Sequence, residues 1–471
     1  MSRKKSTVII DEKTPLLLLA GPMFLELFLN TMVNNIDTLM LSHYDEAAVG
    51  AVGNANTIMF MMNILFNVIA TATSVVVAQY LGAKRYDKMN MIYTLAVLVN
   101  LVVGIVLSGA FCAANPLIMS FLHVSDSMRP YSMIYIYIVG GGGFIMAVFN
   151  VMLQILRCNG FPKVGMYVTL AINAINIVGN YLFLYGPLKT LNMGVAGVAI
   201  STVVARVIAV IAVFVFFFVK KIGKISLRYM NPFPGKLLGK MIKIGLPTAG
   251  ENLTYNLYQT TLLSFVNAMG DDAVNARAYC NTLISFAMIF SNACAMSTQI
   301  ITGHLVGAGK SEEAYKRVFK TLRTSMPITI ALASINAVLC RYSLQLFTQN
   351  QNIIALGQMI MIVDIFVEMG RCLNMTFVSS LKAAGAYIFP LIVGILSNWG
   401  LGLMTGYTVG VVMGVGVAGI FAGTATDECI RGLIVMYYWY KKKWMGKSVV
   451  DKHKNVLELD SKKTEHKIAA S

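Results

Sequence analysis

Apolar residues run along this chain in long stretches separated by short polar connectors. The runs fall at 16–41, 53–80, 93–115, 131–156, 164–187 and 195–218. After a longer polar connector they resume at 245–268, 278–304, 318–341, 355–381, 388–408 and 416–439. Each is long enough to cross a hydrocarbon core as one helix, which takes about 20 residues at 1.5 Å per residue. The pattern predicts an all-α polytopic membrane protein of about twelve transmembrane helices.

The two sets of runs repeat each other. Pro22 and Glu26 recur 225 positions on as Pro247 and Glu251. The same offset carries Gly82-Ala83 onto Gly307-Ala308, Leu156 onto Leu381, Gly160 onto Gly385 and Asn173 onto Asn398. Gly194-Val-Ala-Gly197 returns at Gly416-Val-Ala-Gly419, an offset of 222, so three residues are missing from the second copy by then. Chance matches in apolar sequence do not hold one register across five spans. Six spans per copy give both halves the same orientation, a parallel repeat about an axis along the membrane normal, with a transporter's site between or within the halves. The expected organisation is a tail at 1–14, a six-helix lobe at 15–218, a linker at 219–244, a second six-helix lobe at 245–440 and a basic tail at 441–471.

Charge sets the orientation. Lys and Arg crowd the N-terminal tail, the connectors holding Lys84, Arg85 and Lys88, Arg157 and Lys163, and Lys310, Lys316 and Arg317, the linker, and the C-terminal tail. The alternate connectors are poor in them: 42–52 has none and 269–277 only Arg277. The positive-inside rule then puts both termini in the cytoplasm. The polar start of the chain does not read as a cleavable signal peptide, so the first span is expected to be retained.

Composition agrees with this reading: 57% of the 471 residues are hydrophobic and 13% charged, against about 25% charged in soluble domains. The formal charge of +17 is a topology and anionic-lipid signal rather than a nucleic-acid footprint. The seven cysteines are scattered, with no CxxC pair, and there is no HExxH, no phosphate loop and no paired nucleophile and base. Neither an enzyme nor a protein with a cofactor is indicated.

The first span carries chemistry that lipid cannot satisfy. Glu26, Asn30, Asn34 and Asp37 share one stripe of the helix, so the stripe faces protein or water. A carboxylate at membrane depth resists ionisation, and binding a cation reverses that, which makes Asp37 the candidate ion-coupling group. Asn173, Asn176 and Asn180 lie on one face of the fifth span and are candidate partners of Asp37 or ligands of Na⁺. In the second half Glu251 heads a stripe with Tyr255, Tyr258 and Gln259, suited to a lipophilic cation through its aromatic faces. Asp364, Glu368 and Arg371 share a face of the tenth span, where Glu368 and Arg371, three apart, pair. Gly140–Gly143 either permits close packing or lets the fourth span bend.

Several stretches together resemble one family. They are Asn35-Ile-Asp37-Thr-Leu-Met-Leu-Ser42, Gly82-Ala-Lys-Arg85, Leu156-Arg-Cys-Asn-Gly160, Asn176-Ile-Val-Gly-Asn180, Gly245-Leu-Pro-Thr-Ala-Gly-Glu251 and Glu368-Met-Gly-Arg371-Cys-Leu-Asn374. Over about 15–440 the chain resembles the multidrug and toxic compound extrusion transporters of bacterial type. The resemblance implies two six-helix lobes around a central cleft, and export of amphiphilic, mostly cationic organic compounds driven by inward H⁺ or Na⁺ across the plasma membrane. It matches Asp37 to the family's first-lobe coupling aspartate and Glu251 to its second-lobe glutamate. Asn180 stands where some relatives carry an aspartate, and Arg371 where the sodium-coupled branch carries one. Both departures favour H⁺ over Na⁺. A lipid-embedded monomer is expected. A flippase for lipid-linked saccharides is the alternative reading, with an intramembrane enzyme or a channel more remote. The flippase needs several deep basic residues, of which Arg371 is the clearest in the sequence.

Overall fold

The computed structural model describes residues 10–42, 46–121, 124–126, 128–191 and 193–450; the side chains of Asn34 and Asp37 lie outside what is described. Within these residues the chain forms twelve span-length helical segments. The first six are α1 (Leu16–Ser42), α2 (Glu46–Gly82), α3 (Tyr86–Phe121), α4 (129–158), α5 (Pro162–Leu184) and α6 (Gly194–Val219). The second six are α7 (Gly235–Asn267), α8 (Asp271–Gly307), α9 (Ser311–Gln345), α10 (Gln351–Ala383), α11 (Ile388–Val412) and α12 (Val417–Tyr440). Nine of these helices are long and apolar enough to span a membrane, ten with the bent α4. The other two are diluted by polar residues: α7 by Glu251, Asn252, Asn256 and Gln259, and α12 by Asp427, Glu428 and Arg431.

Local sequence explains the breaks. In α4 the glycine run ends a π-helical turn at Ile136–Gly140, and the two halves of the helix meet at 45°. Glycines without a Cβ release the ladder there. Gly160 and Gly385, repeat mates, terminate α4 and α10 with positive φ of 87° and 89°, the left-handed geometry glycine adopts without strain. Helix α7 begins at Gly235, so the first ten of its residues lie inside the stretch read from sequence as linker, and the irregular connection is confined to 220–234.

Three apolar clusters organise the packing. One holds Leu41, Ile58, Phe66, Ile136 and Leu184 and lies wholly in α1–α6. A second holds Tyr258, Ile284, Ile353, Met361 and Phe421 and lies wholly in α7–α12. The third joins both halves at the end that carries the termini and linker, through Val76, Leu156, Ile222, Ile301, Leu381 and Trp439. Each lobe thus has its own core at one end, and the two share a core at the other.

The shared end is closed by repeat-related contacts. Gly82 of α2 sits against the His304 carbonyl of α8, where a Cβ would come within 2.0 Å; Gly307 sits against the Gln79 carbonyl, where a Cβ would come within 1.9 Å. Gln79 donates its amide to the Ala383 carbonyl at 2.6 Å. His304, its repeat mate, places Nε2 2.9 Å from the carbonyl of Cys158, the repeat mate of Ala383. The tail beyond α12 returns to this junction: the Ser448 hydroxyl and Val449 N–H donate to Gln79 Oε1 at 2.9 and 2.7 Å. Trp444 stacks on Trp439 to hold the return, with ring centroids 3.9 Å apart.

Candidate functional site

Directly above this closure lies a polar cavity of about 490 Å³ between the lobes. Its wall comes from matching places in the two repeats. Asn67 and Asn292 face it, as do Ser74 and Gln299, and Arg157 and Lys382. Ser74 Oγ accepts from Gln299 Nε2 at 3.4 Å, so these repeat mates meet on the pseudo-twofold axis.

Two buried ion pairs flank the cavity. Glu26 of α1 meets Arg157 at the end of α4, 2.5 Å apart, and Glu251 of α7 meets Lys382 at the end of α10, 2.7 Å apart. All four residues obey the same 225-residue offset, so one interaction has been kept in duplicate. Buried carboxylates in membrane helices are held by partners of opposite charge. Glu251, expected to face a lipophilic cation, is paired instead with a lysine one residue past the apolar run at 355–381. Glu26, expected to lie on a polar seam, has Arg157; Asn30, next on that seam, lines the cavity.

In the first lobe, the asparagines of α5 are buried and knit helices together. Asn173 donates to the Leu29 carbonyl of α1 at 3.2 Å, Asn176 to Thr202 Oγ1 of α6 at 3.1 Å, and Asn180 to Asn176 Oδ1 at 3.4 Å. Asn173 thus ties α5 to α1. Asn34 and Asp37 fall outside the described side chains, so their relation to these asparagines is not drawn.

The second lobe holds a denser set of charges. Arg371 bonds Glu368, its neighbour one turn back, and its Nε lies 3.9 Å from Glu428 of α12. Arg431 reaches both Asp427 and Glu428 at 3.0 Å, and Asn374 donates to Glu428 at 2.8 Å. Asp364 is buried in the same region with neither carboxylate oxygen hydrogen-bonded. The Glu368–Arg371 pair expected from spacing is present; the α12 charges joined to it escaped the sequence reading. Their signal was there, three charges at i, i+1 and i+4 in an otherwise apolar span.

On the far side of this network is a second cavity of about 190 Å³. Tyr255 and Gln259 line it, as the stripe predicted, with Arg277, Asn281, Arg371 and Thr424. Gln259 donates to the Tyr255 hydroxyl at 3.1 Å, and Arg431 lies over the Tyr255 ring, 5.8 Å from its centroid. Tyr258 and Glu251 are not on this wall; Tyr258 is fully buried behind it. The second-lobe stripe is therefore split, with its glutamate at the shared end of the lobes and its Tyr255–Gln259 pair in the lobe's own cavity.

The internal repeat finds its counterpart in known sequences. The MatE family model matches residues 22–182 and again 247–408. The two matches begin 225 positions apart, the register of the internal repeat. The chain belongs to the MatE family. Members of this family are transporters, not enzymes. The uncharacterized transporter YisQ of Bacillus subtilis is 34% identical over 449 residues, covering 94% of this chain and 98% of that one. The probable multidrug resistance protein NorM of Thermotoga maritima is 24% identical over 455 residues, 94% of this chain and 95% of its own. Among solved structures, a MOP superfamily transporter from Pyrococcus furiosus, described as having a binding pocket of reversed polarity, aligns with a TM-score of 0.85 at 19% identity, covering 92% of this chain and 96% of that one. A MATE transporter in an outward-facing conformation aligns at 0.84 with the same identity and coverage. The MatE fold accounts for the twelve helices in two lobes, and the protein is an integral membrane transporter.

Proposed function

We propose that the protein is a secondary active exporter of amphiphilic organic compounds, working by alternating access and driven by inward H⁺, with Na⁺ as the alternative ion. The observation that carries this reading is the duplicated closure at Gln79–Ala383 and His304–Cys158 beneath a polar cavity on the pseudo-twofold axis. A symmetric, hydrogen-bonded seal between lobes with separate cores is what one state of a rocking transporter requires. The Lys/Arg bias puts the sealed end in the cytoplasm, so this state presents its cavities to the outside. The relatives named as multidrug resistance proteins support export of foreign compounds.

Asp37 is the proposed coupling group. An ion biases two states only by binding one better than the other, and an intramembrane carboxylate supplies that difference. With Glu26 and Glu251 held by Arg157 and Lys382, Asp37 carries the coupling role in the first lobe. Each six-helix lobe moves as a unit about the 220–234 connection, and a single chain suffices. The flippase reading is disfavoured, because Arg157 and Lys382 on the central wall are each matched by a carboxylate.

The test is efflux of amphiphilic dyes from proteoliposomes under an imposed pH gradient or an imposed Na⁺ gradient, each alone. Efflux under the pH gradient that vanishes in Asp37→Asn supports the reading. Dye movement under neither gradient, with scrambling of a labelled lipid-linked saccharide, overturns it.

A further inference from the structure

The second-lobe cavity has walls of one charge sign. Two guanidinium groups, Arg277 from α8 and Arg371 from α10, face it, and among the described residues no carboxylate does. The acids that neutralise Arg371, Glu368 and Glu428, approach it from behind the wall. Arg277 has no such support. Among the described residues it makes no ion pair; its Nη2 donates only weakly to the backbone and side-chain oxygens of Gln259, both at 3.4 Å. Its Nη1 is buried with no hydrogen-bond partner. A half-buried guanidinium with one buried, unpartnered nitrogen lacks the anion that its donors and charge call for.

The rest of the wall says what that anion is attached to. Leu262, Ile284, Met288, Val367 and Phe421 give an apolar surface, and Asn281, Ser285 and Thr424 add neutral polar groups. The volume of about 190 Å³ falls below the roughly 300–1,000 Å³ of sites that enclose a whole drug-sized ligand. It admits a head group on a small ring, with the remainder of a larger cargo extending outward.

We propose that this cavity is a subsite for a carboxylate carried on an aromatic or aliphatic body, held by the fork of Arg277. This deepens the transport reading by naming what the second lobe recognises, and it departs from the expectation of purely cationic cargo. A planar guanidinium matches a carboxylate with two parallel N–H···O bonds, which a lysine ammonium cannot reproduce. A neutral amide of the same shape offers one acceptor oxygen and no charge, so it cannot take both parallel bonds or neutralise Arg277.

Binding, not transport, is the test, so it stands or falls independently of ion coupling and direction. The full chain in nanodiscs is titrated with 2-naphthylacetate and with 2-naphthylacetamide. The expected result is at least tenfold tighter binding of the carboxylate, loss of that preference in Arg277→Gln, and partial recovery in Arg277→Lys. Ser285→Leu, which fills the cavity and keeps both arginines, should abolish binding of either probe. Because Arg277→Gln removes an unmatched charge, its melting temperature should equal or exceed that of wild type, which separates lost binding from lost folding. Equal affinity for the two probes in the wild-type protein overturns the proposal, as does a carboxylate preference that survives in Arg277→Gln.

Discussion

Replacing Gly82 and Gly307 together by alanine should unseat the closure between the lobes. The added Cβ atoms would sit 2.0 Å from the His304 carbonyl oxygen and 1.9 Å from that of Gln79, whereas ordinary contact begins at 3.4 Å. Both obstacles are backbone, so side-chain rotation gives no relief, and α2 and α8 must part by about 1.4 Å (3.4 less 2.0). The Gln79–Ala383 and His304–Cys158 bonds, at 2.6 and 2.9 Å, would then stretch to about 4 Å, beyond hydrogen-bonding range. At a net 0.5–1.5 kcal/mol each, their loss destabilises the sealed state by about 1–3 kcal/mol. That shifts the balance between the two access states by roughly 5- to 150-fold. Spin labels at Asp87→Cys and Lys316→Cys, both exposed and on different lobes, report the separation in a cysteine-depleted background. The double alanine variant should add a longer-distance population. An unchanged distance distribution in a folded variant would refute the argument that these glycines set the closure.

The duplicated ion pairs make opposite demands on single and double variants. Glu26→Gln leaves Arg157 buried without its partner and should cost about 3–5 kcal/mol, read as a lowered melting temperature, while Glu26→Gln with Arg157→Gln should recover most of the loss. Glu251→Gln should behave likewise against Lys382→Gln; wild-type stability in Glu251→Gln would mean that the pair does not hold the helix ends. Asp37→Asn should fold, lose gradient-driven efflux and flatten the pH dependence of substrate binding between pH 5 and 8; an unaltered profile removes Asp37 from the coupling step. Truncation after Lys447 removes the donors that Ser448 and Val449 give to Gln79 and should raise accessibility at the seal, measured by the rate of maleimide attack on Cys158.

The twelve helices and their duplication were legible because hydrophobic run length and a constant offset survive without any knowledge of contacts. The bend of α4 was half legible: Gly140–Gly143 marked the place, but only packing sets its 45° angle. The site was read less completely, for a definite reason. Arg157 and Lys382 lie at helix ends, where positive-inside counting treats a basic residue as a loop charge. Their burial comes from a partner about 130 residues away in each lobe, and propensity carries no such information. The offset that aligned Glu26 with Glu251 also aligns Arg157 with Lys382 and Gln79 with His304, so a search for repeated polar pairs would have found both the ion pairs and the seal. Tyr255 and Gln259 share the wall that their spacing predicts while Glu251 and Tyr258 of the same stripe lie elsewhere, and the charge that Arg277 brings to that wall was not legible because it comes from another helix.

The most direct test of alternating access joins the lobes across their axis. Ser74 and Gln299 are repeat mates in hydrogen-bonding contact at 3.4 Å, so Ser74→Cys with Gln299→Cys, in a background lacking Cys158, places two thiols in reach across the interface. Efflux from proteoliposomes is measured before oxidation, after it, and after reduction. If the lobes must separate here to admit cargo from the cytoplasm, efflux stops on oxidation and returns on reduction. Full efflux while the lobes remain covalently joined at 74 and 299 would contradict the account.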